Sequence, residues 1–186
     1  ADLANKNGIN TFNGYIEDKA NEPLKNGADL LLASNVFAHS DNLKLMAENM
    51  KKLIKPDGKI IIEVQYLLNT IKDLTFDNIY HEHTNYWSIS TISGFLKSLG
   101  LVVYKAEKIN THGGSIRVYV SKNKNEKIDN SVLNLIKEEE EFGLTKIDTY
   151  INFGKKIEKL KENVLINIKE LKSKNKYLIG YGSPAK

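Results

Sequence analysis

The run YHEHTNYW, Tyr80 to Trp87, concentrates two histidines, a glutamate, two tyrosines and the single tryptophan of the chain. The chain has four histidines in all, and the other two stand in SNVFAHSD (His39) and THGGSIR (His112). These residue types suit acid–base chemistry. A histidine held by a neighbouring carboxylate has its tautomer fixed and its basicity raised, and a nearby phenol can stabilise a developing oxyanion. A metal centre fits less well. An i, i+2 pair such as His81 and His83 faces one way only on an extended segment, and no acid cluster completes a coordination geometry. No metal is therefore expected at this site. Each piece also has an ordinary explanation: His39 as a helix-start histidine bonded to backbone, Glu82 as the partner of a lysine, and His112-Gly113-Gly114 as a hairpin turn. What decides between a site and scattered loops is whether these segments meet.

The elements around them alternate. ADLLLASNV and KIIIEVQYL are continuous apolar runs, which read as strands buried on both faces. GINTFNGYI reads as a short strand before them, followed by a turn at NEPLKNG. Between the two apolar strands, Leu43, Met46, Met50, Leu53 and Ile54 recur at helical spacing with Asp41 as the N-cap, and KPDGK forms a turn. SISTISGFLKSLG is a helix stopped by Gly100. LVVYKAEKI and GSIRVYVSK make two late strands joined by NTHGG, an antiparallel edge on a layered α/β sheet. In such sheets ligands gather at the carboxyl ends of the strands. Ser34, Asn35 and His39 stand at one such end, Glu63, Gln65 and Tyr66 at the next, and YHEHTNYW follows in the subsequent loop. Gly113 and Gly114 would let backbone approach a ligand closely. The histidine segments can thus share one rim.

After Lys122 the character is helical. SVLNLIKEEEEFGL is one helix, and a longer one spans about 147–174, with Phe153, Ile157, Leu160, Val164, Ile168 and Leu171 on one stripe. That stripe is expected to pack on its own protein rather than form a coiled coil. KYLIGYGSPAK then starts a new strand and a glycine-bearing turn. Both ends of the chain read as cut: no glycine-rich loop precedes the first strand, and the last strand stops at its first turn.

Composition narrows the class. At 186 residues, 41% hydrophobic and 27% charged, the chain suits one soluble globular domain, with a cytoplasmic setting as the default. It contains no long apolar run, so no membrane partner is expected. The net charge of +4 does not point to nucleic acid, because residues 1–120 hold 13 Lys/Arg against 13 Asp/Glu. Arg117 is the single arginine, whereas phosphate and base readers lean on several.

The segments ASNVFAHSDNL, LIKPDGKIIIEVQYL, FDNIYHEHTNYWS, THGGSIRVYV and GYGSPAK resemble, in order and rough spacing, the S-adenosylmethionine-dependent C-methyltransferases that act on nucleotide-linked 4-keto deoxysugars. The resemblance covers nearly the whole chain; Ser183 stands where the family often has alanine. It implies an α/β fold: a class I methyltransferase (Rossmann-like) domain lacking its first strands at 1–122, connecting helices at 123–175, and the first strand of a second Rossmann-like domain at 176–186. It also implies structural zinc only in a preceding domain outside this sequence, and a piece of this extent is expected to be inactive alone. By motif, His83 oriented by Glu82 resembles the general base, with Tyr80 and His39 stabilising the enolate or positioning the sugar. Ser34 and Asn35 are implied to line the adenosylmethionine pocket. His112, Gly113, Gly114, Ser115 and Arg117 are implied to bind the nucleotide sugar. The partner implied is that substrate, acting on a monomer, within polysaccharide or deoxysugar biosynthesis. An O- or N-methyltransferase of the same fold, or a non-catalytic nucleotide-sugar binding module, are the alternatives. The first would leave the crowded Tyr-His-Glu-His loop surplus.

Overall fold

The computed structural model describes residues 1–16 and 26–182. A short helix α1 (Asp2–Lys6) opens the chain. Strand β1 (Ala28–Ser34) leads through a 3-10 turn (Phe37–His39) into helix α2 (Leu43–Leu53), which returns to strand β2 (Ile54–Gln65). Helix α3 (Leu67–Lys72), a second 3-10 turn (Phe76–Asn78) and helix α4 (Ile89–Ser98) follow. A hairpin of β3 (Val102–Ile109) and β4 (Ser115–Ser121) joins the sheet, and helices α5 (Asn130–Phe142) and α6 (Ile147–Ser173) come last among the described elements.

The four strands lie in the order β1-β2-β4-β3. β1 and β2 are parallel, as the helical crossover between them requires. β4 runs antiparallel to both β2 and β3. Register follows the apolar alternation: Ile60, Ile62 and Val64 of β2 face Val120, Val118 and Ile116 of β4. All six are essentially sealed from solvent. They form one sheet face, covered by Met46, Ala47 and Met50 of α2 and by Ile92 and Leu96 of α4 in a single core. Helices α4 and α5 also pack on β3 and on each other.

The second sheet face differs from the expectation of strands buried on both sides. Leu30 and Leu32 of β1 are 51% and 66% exposed. That face carries Glu63, Arg117, Glu107 and Tyr119 side by side. A continuous apolar run signals a strand meant to be covered twice; in this structure the second side stays largely open.

Several local expectations are corrected. GINTFNGYI forms no strand over 8–16. Helix α2 is capped one residue later than Asp41, by Asn42, whose side chain accepts from Leu45 N–H. KPDGK is not a turn between elements but an irregularity inside β2, where the β1 pairing jumps from Ile54 to Lys59. Strand β2 ends at Gln65, and Leu67–Lys72 turns helical instead. Gly100, at φ +70°, does end α4, after a capping box between Ser88 and Thr91 at its start. In α6 only Phe153 of the apolar stripe packs against the core, while Leu160, Val164, Ile168 and Leu171 are exposed. The expected packing of that stripe is therefore not seen beyond the helix's first turns, where no facing element exists among the described residues. Residues 176–182, read from sequence as a starting strand, pair with no strand here. Most of the turn at NEPLKNG and the end of the chain from Ser183 lie outside the described residues. No helix among the described residues is long and apolar enough to cross a membrane.

Because Ile116 sits fully buried in the central antiparallel pair, Ile116→Ala should cost about 3 kcal/mol of unfolding free energy, read from urea melts. A loss under about 1 kcal/mol would mean that this layer is not the packed core.

Candidate active site

At the carboxyl end of β1 the backbone makes one further sheet-like bond, Asn35 N–H donating to the Glu63 carbonyl at 2.9 Å. Asn35 then adopts a left-handed conformation, φ +54°, that diverts the chain across the strand ends. Phe37, fully buried, anchors the diverted turn against Trp87, with ring centres 5.6 Å apart, and against Phe95 at 6.3 Å. That burial leaves the carbonyls of Ala38 and Ser40 needing partners. The loop from Tyr80 supplies them. Thr84 Oγ1 and Asn85 N–H donate to the Ala38 carbonyl at 3.2 and 3.3 Å, and Asn85 Nδ2 donates to the Ser40 carbonyl at 3.2 Å. The His39 segment and the YHEHTNYW segment are therefore stitched together.

His83 is held in one tautomer. Its Nδ1 lies 2.8 Å from the carbonyl oxygen of Asn78, which can only accept, so Nδ1 carries the proton. Nε2, with its lone pair, faces the Tyr80 hydroxyl at 3.3 Å. The ring also meets His39 edge-on, centre to centre 4.8 Å. His112, at φ +49° in the β3–β4 turn, reaches the same space. The result is a cleft of about 310 Å³. His39, Tyr80, His83 and His112 line it, and Asn35, Gln65 and Glu82 complete its wall. A more apolar hollow of about 420 Å³, walled by Ile16, Leu31, Val36, Met46 and Met50, adjoins it and shares His39. Among the described residues no group of three or more His, Asp or Glu side chains is arranged to hold a metal ion.

A strand-end cleft of this shape agrees with what sequence comparison finds. The family described as "Methyltransferase domain" matches residues 2–106, and the one described as "C-methyltransferase C-terminal domain" matches residues 110–186. The chain belongs to the methyltransferase domain family. It is 28% identical over 190 residues to the C-methyltransferase NovU of Streptomyces niveus, a match covering 100% of this chain and 45% of that protein. The chain thus spans less than half the length of that relative. Among solved structures, it is similar to an S-adenosylmethionine-dependent methyltransferase of Thermotoga maritima, with TM-score 0.51 and 15% identity over 66% of this chain and 68% of that one. It is also similar to a complex of the Haloferax volcanii Trm112 activator with its methyltransferase, with TM-score 0.50 and 14% identity over 64% and 66% of the two chains. At such identities the likeness speaks for the fold alone, a Rossmann-like class I methyltransferase domain.

Not every residue singled out from the methyltransferase motifs reaches the cleft. Ser34 and Arg117 line a separate depression on the open sheet face, with Leu32, Ile61, Glu63 and Tyr119. Strand alternation sends them there: Ser34 pairs with Glu63, and Glu63 with Arg117, all on the side away from the core. Arg117 is committed to two carboxylates, Glu63 at 3.1 Å and Glu107 at 3.3 Å, and its hydrogen bond to Glu63 is the main influence raising its pKa. Glu107 is lowered, first by the Tyr119 hydroxyl that donates to it at 2.6 Å. Ser115 is buried and donates to the Thr111 carbonyl at 3.0 Å. Glu82 does not orient His83; it is exposed, with His81 Nε2 3.8 Å away, and the Asn78 carbonyl performs the orientation instead.

The glycines meet the backbone demands of the turn. Gly113, at φ +77°, faces Thr75 and Asn78. Gly114 is at φ +108°, and a Cβ there would lie 2.7 Å from Asn69 Nδ2. Asn78 carries no signal in the sequence, because it acts through its backbone, which no residue type announces. Gly114→Ala should cost about 2 kcal/mol or more, because it adds both backbone strain and overlap with α3. A calorimetric melt unchanged from wild type would show that the turn has a second conformation open to alanine.

Proposed function

We propose that the protein transfers a methyl group from S-adenosylmethionine to a carbon beside the ketone of a nucleotide-linked 4-keto deoxysugar, with His83 as general base. The observation that carries this reading is the fixed tautomer of His83: Nδ1–H is tied to Asn78, so the basic Nε2 faces the cleft beside a phenol. A proton next to a ketone is far from acidic in water, so its removal needs a placed base and a donor for the enolate oxygen. Transfer to oxygen or nitrogen needs neither to the same degree, which is why the crowded loop favours carbon.

Adenosylmethionine enters as a substrate and supplies an electrophilic sulfonium methyl. The apolar hollow next to the polar cleft suits a molecule with an adenine at one end and charged groups at the other. Asn35, which lines the polar cleft and precedes Val36 of the hollow, is the residue we assign to its binding. In the sugar half-reaction His83 Nε2 takes the proton from carbon, and the C–H electron pair moves into the enolate. The Tyr80 hydroxyl, 3.3 Å from Nε2, makes a long and weak bond there. Leaving Nε2 as the base engages carbon, that hydroxyl can donate to the ketone oxygen, with His39 and His112 on the remaining sides of the cleft. The enolate carbon then forms its bond to the methyl group as the carbon–sulfur bond breaks. Because both substrates react within one cleft, alignment supplies much of the rate.

In the full-length protein, His83→Ala should lower turnover by about a hundredfold to ten-thousandfold, while adenosylmethionine affinity stays within about threefold. With a 4-keto sugar nucleotide in D2O and no adenosylmethionine, wild type should wash deuterium into the carbon beside the ketone and the variant should not. Equal loss of binding and rate would make His83 structural. Methyl transfer by wild type with no such exchange, to oxygen or nitrogen, would replace the carbon-acid reading.

A further inference from the structure

The most deeply buried acidic group in the described residues takes no part in the cleft. Glu139, on α5, is 2% exposed. Its carboxylate accepts four hydrogen bonds: Tyr66 hydroxyl at 2.9 Å and Ile89 N–H at 2.6 Å on Oε1, Ser90 N–H at 3.0 Å and Ser90 hydroxyl at 2.5 Å on Oε2. A buried carboxylate is tolerated only when so fully satisfied. As a cap for α4 it complements the capping box: Ser88 and Thr91 satisfy each other's N–H groups, and Glu139 takes those of Ile89 and Ser90. What a cap alone does not explain is the phenol of Tyr66, which sits just past β2 in another layer.

Tyr66 is where the two site loops meet. Its N–H donates to the Gly114 carbonyl at 3.1 Å, two residues from His112. It also forms a parallel bridge with Trp87, whose carbonyl accepts from Leu67 N–H at 2.9 Å. From Trp87 the chain runs back through the stitched Asn85 and Thr84 to His83. Ile89 and Ser90, held directly by Glu139, form the other end of that loop. One carboxylate therefore grips both the exit of the His83 loop and the residue on which the His112 loop hangs. Burial and the nearby Glu139 charge push the Tyr66 phenol up, so it stays a donor.

We propose that Glu139 is a positioning residue for the cleft: from α5 it sets the placement of the His83 and His112 loops through Tyr66 and the first turn of α4. The kinetic consequence rests on the function proposed above; the placement itself does not.

The test substitutes Glu139→Gln in the full-length protein. An amide keeps one oxygen and turns an NH2 toward two donors. Whichever way it faces, either Ile89 N–H or Ser90 N–H loses its acceptor. Hydrogen–deuterium exchange, with no substrate present, should be about tenfold faster or more at 80–88 and 111–115 while Ile60–Val64 and Ile116–Val120 keep their protection. Tyr66→Phe, which leaves three of the four donors in place, should give the same pattern more weakly. Val132→Ala, a buried α5 change away from the network, should raise exchange without singling out the two loops. In turnover, Glu139→Gln should lower kcat by about tenfold with adenosylmethionine affinity little changed. Unchanged loop exchange, or a loss of protection spread evenly over loops and core in both Glu139→Gln and Tyr66→Phe, overturns the proposal. If wild type transfers no methyl to a keto sugar, the function proposed above fails, and the exchange measurements still decide this one.

Discussion

The carbonyl oxygens of Ala38 and Ser40 lie beyond the last pairing of β1, in a turn whose Phe37 is driven into the core. Backbone groups there have lost water and have no ladder to join, so they must be met by some other segment. Thr84 and Asn85 meet them, at 3.2 to 3.3 Å. That obligation, more than any attraction between histidines, is why the imidazoles of His39 and His83 end up edge to edge. Trp87 closes the arrangement by packing on Phe37 from the same loop. The site is thus a by-product of satisfying two carbonyls next to an aromatic cluster.

The two carboxylate networks of the domain differ in weight. Arg117, Glu63, Glu107 and Tyr119 form a well-connected group on a sheet face that remains partly wet, where such pairs contribute little individually. Glu139 is sealed, and removing any one of its donors would leave a buried charge short of a partner, a far larger penalty. Position rather than number of contacts decides which of the two governs the geometry of the cleft.

Much of this was legible in the residues. The apolar runs of β1 and β2, the helix pattern from Leu43, the Gly100 stop and the late antiparallel pair all follow from local rules, and strand ends then bring His39, His83 and His112 to one rim. What failed did so for identifiable reasons. Ser34 and Arg117 share a strand end or a motif with site residues, but a period of two sends them to the opposite face. Glu82 is adjacent to His83 in sequence, which suggests an orienter, but a backbone carbonyl at Asn78 orients the ring. Glu139 hides in the run Glu138–Glu141, which reads as a solvated charge block. A signal was there: it falls seven residues after Val132 and four after Leu135, on the apolar side of α5.

The sheet order has a consequence for the chain as it is made. β4 comes last in sequence among the described strands, yet it lies between β2 and β3. Until Ser121 has left the ribosome, β2 has one open edge, and β3 has no partner at all. The apolar run Ile60–Val64 therefore waits with unpaired N–H and C=O groups through the synthesis of more than fifty further residues. Glu139 arrives later still, so the grip on both loops closes after the sheet does. Synthesis thus imposes a timetable in which the rim of the cleft is ordered after the sheet that carries it.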